Sequence, residues 1–220
     1  MSAPLVSVVI LNWNRKDEIR SSIESVFRQT YNNFEVIVVD NNSTDGSREM
    51  LDNFELDIRL IKLDENKGVA GGRNVGIKAA KGEFIFFLDD DAVINTLDGL
   101  ELLINKMCEK PKIGVICCKI INYHTKDIEN FYFKRSERKN TDREFYVTDF
   151  SGGASIIRRS VIDQAGSYRE DSLRQMEEAD LSYRILDAGY YILYYPKVAV
   201  LHKTPNVKKS EYYYDMRNSL

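Results

Sequence analysis

A doubly wound α/β fold, with a mostly parallel sheet flanked by helices on both faces, is what this 220-residue sequence predicts. Three observations carry the expectation. Continuous apolar runs rich in β-branched residues recur along the chain, as strands covered on both faces require. Between them apolar residues repeat at helical spacing. Each of the first four predicted strands exits into a polar cluster, the pattern expected where an open sheet turns its carboxyl edge toward a ligand.

The first run, "VSVVIL" at 6–11, exits into "NWNR". After Asn14, a candidate N-cap, Ile19, Ile23, Val26 and Phe27 fall at i, i+4, i+7 and i+8, so a helix follows. The second run, "FEVIVV" at 34–39, ends at Asp40 and "NNSTDGS", where Ser43 or Asp45 can cap the next helix. The third, at 58–63, exits into "DENKGVAGGRN", and the fourth, "FIFFL" at 84–88, runs straight into Asp89, Asp90 and Asp91. Leu97, Leu100, Ile104, Met107 and Cys108 then mark a helix ending near Pro111, and a fifth strand is expected at 113–121. From 122 to 145 the text is charged and aromatic without a Pro, Gly or Ser bias, which predicts a hairpin or variable loop rather than a linker. "FSGGASIIRRSVIDQAG" opens a second ordered stretch, with a helix at 176–188 and strands at 191–195 and 198–201. The expected organisation is one domain over 1–220, in two halves at 1–121 and 122–220.

Composition narrows the partners. Hydrophobic residues make up 43% of the chain, and 31 basic against 34 acidic residues give a net charge of −3. Such a balance excludes a general nucleic-acid binder, so any phosphate recognition is local. No apolar run approaches the ~20 residues that cross a bilayer, and the N-terminus reaches charged text too soon for a signal peptide. A cytoplasmic location follows. Cys108, Cys117 and Cys118 match neither a disulfide framework nor metal spacing and are expected to be buried thiols. The ending "SEYYYDMRNSL" suggests a longer parent chain; Tyr212, Tyr213 and Tyr214 could pack on the sheet, line an acceptor or form a dimer contact.

The chemistry concentrates at the strand ends. Carboxylates held roughly 4–6 Å apart repel by about 1–4 kcal/mol at surface-like dielectric, so three consecutive aspartates call for a cation. Asp89 and Asp91 are hard oxygen ligands of the kind that hold Mg²⁺ or Mn²⁺ against phosphates, or else they form a solvated turn and a helix cap. Asp40 is either a turn residue or the acceptor for a pyrimidine ring N–H. Gly68, Gly71, Gly72 and Gly76, with Arg73 and Asn74 among them, allow close backbone approach to a ligand or close helix packing. Arg73 could face a base or a diphosphate. Glu177, Glu178, Asp180 and Arg184 open a helix, with an expected Asp180–Arg184 ion pair, and Glu178 is a candidate general base. No G-x-G-x-x-G follows the first strand and no P-loop is present.

"VSVVILNWNR", "FEVIVVDNNSTDGS", "NKGVAGGRNVGI", "FIFFLDDDA", "SGGASIIRRSVIDQAGSY", "EEADLSYRILDAGY" and "VAVLHKTPNV…YYYDMRN" follow one another over nearly the whole chain. In this ordered set the sequence resembles the family 2 glycosyltransferases of the GT-A fold, particularly rhamnosyltransferase-like members. The resemblance implies transfer of a sugar, with inversion, from a UDP- or dTDP-sugar to an acceptor hydroxyl, in cell-surface glycan synthesis. It implies that Asn12, Asn14, Asp40, Asn42, Arg73, Asn74 and Asp90 face the donor, that Asp89, Asp91 and His202 hold Mn²⁺ or Mg²⁺, and that Ser151, Gly152 and Gly153 lie beside the transferred sugar and acceptor. Many relatives read Glu-Asp-x-Asp-Leu where this chain reads Glu177-Glu178-Ala179-Asp180-Leu181. Glu178 thus stands at the base position with one extra methylene, a displacement of more than about 1 Å, and Glu177 is its substitute. The implied acceptor is a glycan, free or on a lipid carrier, with peripheral contact at the inner membrane face. Two other readings compete: a noncatalytic nucleotide-sugar or glycan binding module on the same fold, and a sugar nucleotidyltransferase, which the glycine-free "LNWNRKDEI" disfavours.

Overall fold

The computed structural model describes residues 3–129, 141–171 and 177–203. The first half alternates strand and helix: β1 (Val6–Asn12), α1 (Lys16–Phe27), β2 (Phe34–Asp40), α2 (Ser47–Asp52), β3 (Arg59–Lys62), α3 (Gly68–Ala79) and β4 (Phe84–Asp89). There follow β5 (Ala92–Ile94), α4 (Gly99–Glu109), β6 (Ile113–Asn122), β7 (Phe145–Val147), β8 (Ala154–Arg158), α5 (Arg159–Ala165), α6 (Glu177–Asp187) and β9 (Tyr191–His202). One mixed sheet runs β3-β2-β1-β4-β8-β6-β9-β5, with β7 paired to β9. β1 to β4 are mutually parallel, β6 is parallel to β9, and β8 lies antiparallel between β4 and β6. No described helix is long and apolar enough to cross a membrane.

Side chains alternate across the sheet and feed two cores. Val8, Ile10, Phe86 and Leu88 pack against α1 and α4 on one face, while Val9, Ile37, Ile85 and Phe87 pack against α3, α5 and α6 on the other. Both faces are covered, which is why these strands read as unbroken apolar runs.

Several expectations are corrected locally. Asn14 does not cap α1: Arg15 occupies the N-cap position without a side-chain bond, and Asn14 sits at φ 54 with its side-chain oxygen accepting the Thr44 N–H at 2.7 Å. Ser43 does not cap α2 either, whereas Asp45 accepts the Ser47 N–H at 2.9 Å. Leu97 is exposed because α4 starts only at Gly99, and Cys108 is exposed near its end, while Cys117 and Cys118 are buried as expected. The two strands expected near the C-terminal end are one, β9, whose register against β6 slips so that Cys118 faces Tyr195 and Lys119 faces Ala199. Pro196 falls in that slip, where its missing N–H costs no ladder bond. The expected hairpin region folds back through an isolated Ile121–Ile128 bridge. The tyrosines at 212–214 lie outside the described residues.

Candidate active site

The carboxyl ends of the parallel strands open on a cleft of about 810 Å³. Arg73, Asp89, Asp90, Ser151, Glu177 and Glu178 line it. Arg73 projects from α3 beneath that wall, 6% exposed, and bridges its two acidic sides. Its Nη2 donates to Asp89 Oδ1 at 3.1 Å and its Nη1 to Glu178 Oε1 at 2.5 Å. Burial works against the guanidinium charge, but Glu178 and Asp89 outweigh it and push the Arg73 pKa up. The ring of Tyr168 lies 5.7 Å below the guanidinium, adding a cation–π contact.

A side chain at either glycine beside this bridge would displace it. A Cβ on Gly152 would stand 2.0 Å from Arg73 Nη1, and one on Gly153 would stand 1.8 Å from Asp89 Oδ2. The Ser151–Gly153 loop therefore lies directly against the acidic groups, and β8 carries it there by its pairing with β4.

Asp89, Asp91 and His202 present ligand atoms that all lie within 4.8 Å of one another. β4 ends at Asp89, and the turn before β5 brings Asp91 round beside it. His202, the last residue of β9, pairs across the sheet with Ala92. Its Nε2 is 3.1 Å from Asp91 and 3.9 Å from Asp89, and its Nδ1 is 3.0 Å from Glu129. Burial opposes the imidazolium, yet the hydrogen bond and charge of Asp91 prevail and raise the His202 pKa to about 9. Asp91 is correspondingly held below the usual carboxylate range, burial notwithstanding, by His202 and then by Arg15, whose Nη2 is 3.6 Å away. Asp90 accepts the Trp13 N–H at 3.1 Å, and burial followed by the Asp91 charge pushes its pKa up. Two carboxylates and one imidazole make a donor set that suits Mn²⁺ or Mg²⁺.

Asn12, Asp40, Asn42 and Asn74, expected from the sequence to face a donor, are not among the residues that line the cleft. Asn12 donates to Asp40 at 2.9 Å and to Ser43 at 3.0 Å, and Asp40 also accepts from the Ser43 N–H at 3.1 Å and from Arg48 at 2.6 Å. These bonds lower the Asp40 pKa against the effect of burial. Asn42 lies at φ 64 just beyond β2. Asn74 donates to the Tyr168 carbonyl at 2.8 Å and to Glu170 at 2.9 Å, which brings Glu170 to the cleft. Asp180 and Arg184 form the expected ion pair at 2.7 Å.

Trp13, Arg15, Asn41, Lys67 and Glu170 also line the cleft, and none of them was singled out from the sequence. Asn41 accepts the Lys67 N–H at 2.8 Å and donates to Asn66 at 2.9 Å, fastening the loop before α3 to the end of β2.

Comparison with known proteins identifies the family and the fold. Residues 7–166 match the model of glycosyl transferase family 2. Glycosyltransferase GlyG of Streptococcus pneumoniae is 32% identical over 76% of this chain and 52% of its own length. An Escherichia coli protein, UDP-Glc:alpha-D-GlcNAc-diphosphoundecaprenol beta-1,3-glucosyltransferase WfaP, is 44% identical over 40% of this chain and 35% of its own. The chain thus spans about half the length of the first and about a third of the second, and neither carries a rhamnosyltransferase name. Among solved structures, mannosyltransferase PcManGT from Pyrobaculum calidifontis, in complex with GDP-Man and Mn²⁺, superposes with a TM-score of 0.75 at 20% identity, covering 99% of this chain and 61% of that one. The mixed sheet and its flanking helices are those of the GT-A fold, and the chain belongs to glycosyl transferase family 2.

Proposed function

We propose that this chain is an inverting, metal-dependent glycosyltransferase that moves a hexosyl group from a UDP- or dTDP-sugar to a hydroxyl of a growing surface glycan. The observation that carries the reading is the position of Asp89, which belongs to the Asp89–Asp91–His202 set and is bonded by Arg73, the residue that also bonds Glu178. Asp89, Asp91 and His202 would hold Mn²⁺ or Mg²⁺, which when bound offsets the charge that builds on the departing diphosphate. Arg73 orients Glu178 and Asp89 relative to each other. Glu178 accepts the proton of the acceptor hydroxyl as its oxygen bonds to the anomeric carbon, and the bond from that carbon to the diphosphate breaks on the opposite face. Of the paired glutamates, Glu178 has the more open side chain, while Glu177 is 7% exposed and serves as the alternative.

The lipid-linked acceptor in the name of the Escherichia coli relative supports a lipid-carried glycan acceptor. The uridine donor in that name supports starting with UDP-sugars. Calorimetry of UDP and dTDP with and without Mn²⁺, run beside transfer assays of E178Q and E177Q, tests the proposal. Nucleotide binding is expected to require Mn²⁺ and to be preserved in E178Q, while transfer falls by about 10²–10⁴-fold. A full rate in E178Q with loss in E177Q moves the base to its neighbour. Tight binding without turnover on any acceptor returns the chain to a noncatalytic binding module.

A further inference from the structure

We propose that Glu129 is the positioning residue of the cation site, fixing the His202 ring so that Nε2 faces Asp89 and Asp91. The inference rests on the metal reading above and adds to it a residue outside every motif of the family resemblance. Imidazole carries its two nitrogens on different edges of the ring, and donation of one N–H to a carboxylate leaves the other nitrogen's lone pair for a cation. In this structure each edge has its own carboxylate: Nδ1 lies 3.0 Å from Glu129 Oε2, and Nε2 faces the acidic pair, 3.1 Å from Asp91 Oδ1.

Glu129 is itself held in place. Its Oε1 accepts from Asn122 Nδ2 at 2.6 Å, and its backbone N–H donates to the Ile120 carbonyl at 2.9 Å. Asn122 is the residue of β6 that pairs with His202, so the strand register that places the ring also places the group that anchors Glu129. The Ile121–Ile128 bridge folds the intervening turn back to complete the loop. The Glu129 side chain is 13% exposed and shares a small cavity with Asp89, Gly153 and His202. It sits on the Nδ1 edge, outside the Asp89–Asp91–His202 set whose ligand atoms lie within 4.8 Å of one another. Its effect therefore passes through His202.

A double-mutant cycle tests this. Mn²⁺ is titrated, in the presence of UDP, into the wild type, E129Q, H202A and E129Q/H202A, with the free aquo ion read by electron paramagnetic resonance. Loss of one carboxylate oxygen leaves a single acceptor for two donors, so E129Q is expected to bind Mn²⁺ about 10–100-fold more weakly. In the H202A background the same substitution is expected to change nothing, which a merely structural role would not reproduce. E129D, which keeps the charge but draws it back, carries the same comparison if E129Q does not fold. Wild-type binding with E129Q equally tight, or with E129Q weakened as much in H202A, overturns the proposal alone. A wild type that takes up no Mn²⁺ overturns the metal reading and this proposal with it.

Discussion

Asp40 is 0% exposed, and a carboxylate removed from water is tolerated only because its oxygens are occupied by Asn12, the Ser43 N–H and Arg48. Arg48 also donates to the Leu63 carbonyl, so the bonded group ties β2 to the segment after β3. Because the folded-state pKa is lowered, the unfolded chain binds the proton more readily. The stability Asp40 contributes is therefore complete above the unfolded value of about 3.9 and is lost as pH falls through the lowered folded value. Urea midpoints measured from pH 6 downward should show an acid decline that is shallower in D40N, which starts from a lower plateau because Arg48 has lost its charged partner. Parallel declines in the two proteins would mean that Asp40 does not carry this linkage.

At the scale of elements, α3 carries Arg73 and lies against β1 with glycine at the contact. A Cβ on Gly76 would stand 2.3 Å from Val9 Cγ1, and one on Gly72 would stand 2.3 Å from Leu11 Cδ1. Helix propensity favours alanine over glycine by about 1 kcal/mol, but overpacking against a buried β-branched side chain costs about 1–3 kcal/mol. Val9 is 1% exposed with no room to turn aside, so the second effect prevails. G76A is expected to lower the stability by about 1 kcal/mol, seen as a reduced urea midpoint at unchanged m-value. A midpoint equal to or above that of the wild type would show that the helix moves outward at little cost. The spacing of Gly72 and Gly76 already suggested helix packing, and the structure adds that their contacts are Leu11 and Val9 of β1.

For the molecule as a whole, the long strands were legible because sheet faces covered on both sides demand unbroken apolar runs, and the three aspartates were legible because their mutual repulsion demands an answer. Short pieces were not: β5 and β7 span three residues each, and tertiary pairing rather than local pattern makes them strands. Glu129 sits in charged text where nothing separates it from its neighbours, since its meaning comes from Asn122 and His202, 7 and 73 residues away. The same non-local pairing governs cooperativity. β8, from the second half, lies between β4 and β6 of the first, and β9 lies between β6 and β5, so separating the halves would break four ladders and pull the Ser151–Gly153 loop from Arg73 and Asp89. The chain is therefore expected to melt in one transition by circular dichroism and calorimetry alike. If both halves close on the donor, UDP at about 100 times its Kd should, with Mn²⁺, stabilise that single transition by about 2.7 kcal/mol, and UDP or Mn²⁺ alone should do far less. Two resolved transitions, with only one moved by UDP and Mn²⁺, would instead mean that the first half binds the nucleotide by itself and that Glu178 approaches the donor only after the second half docks.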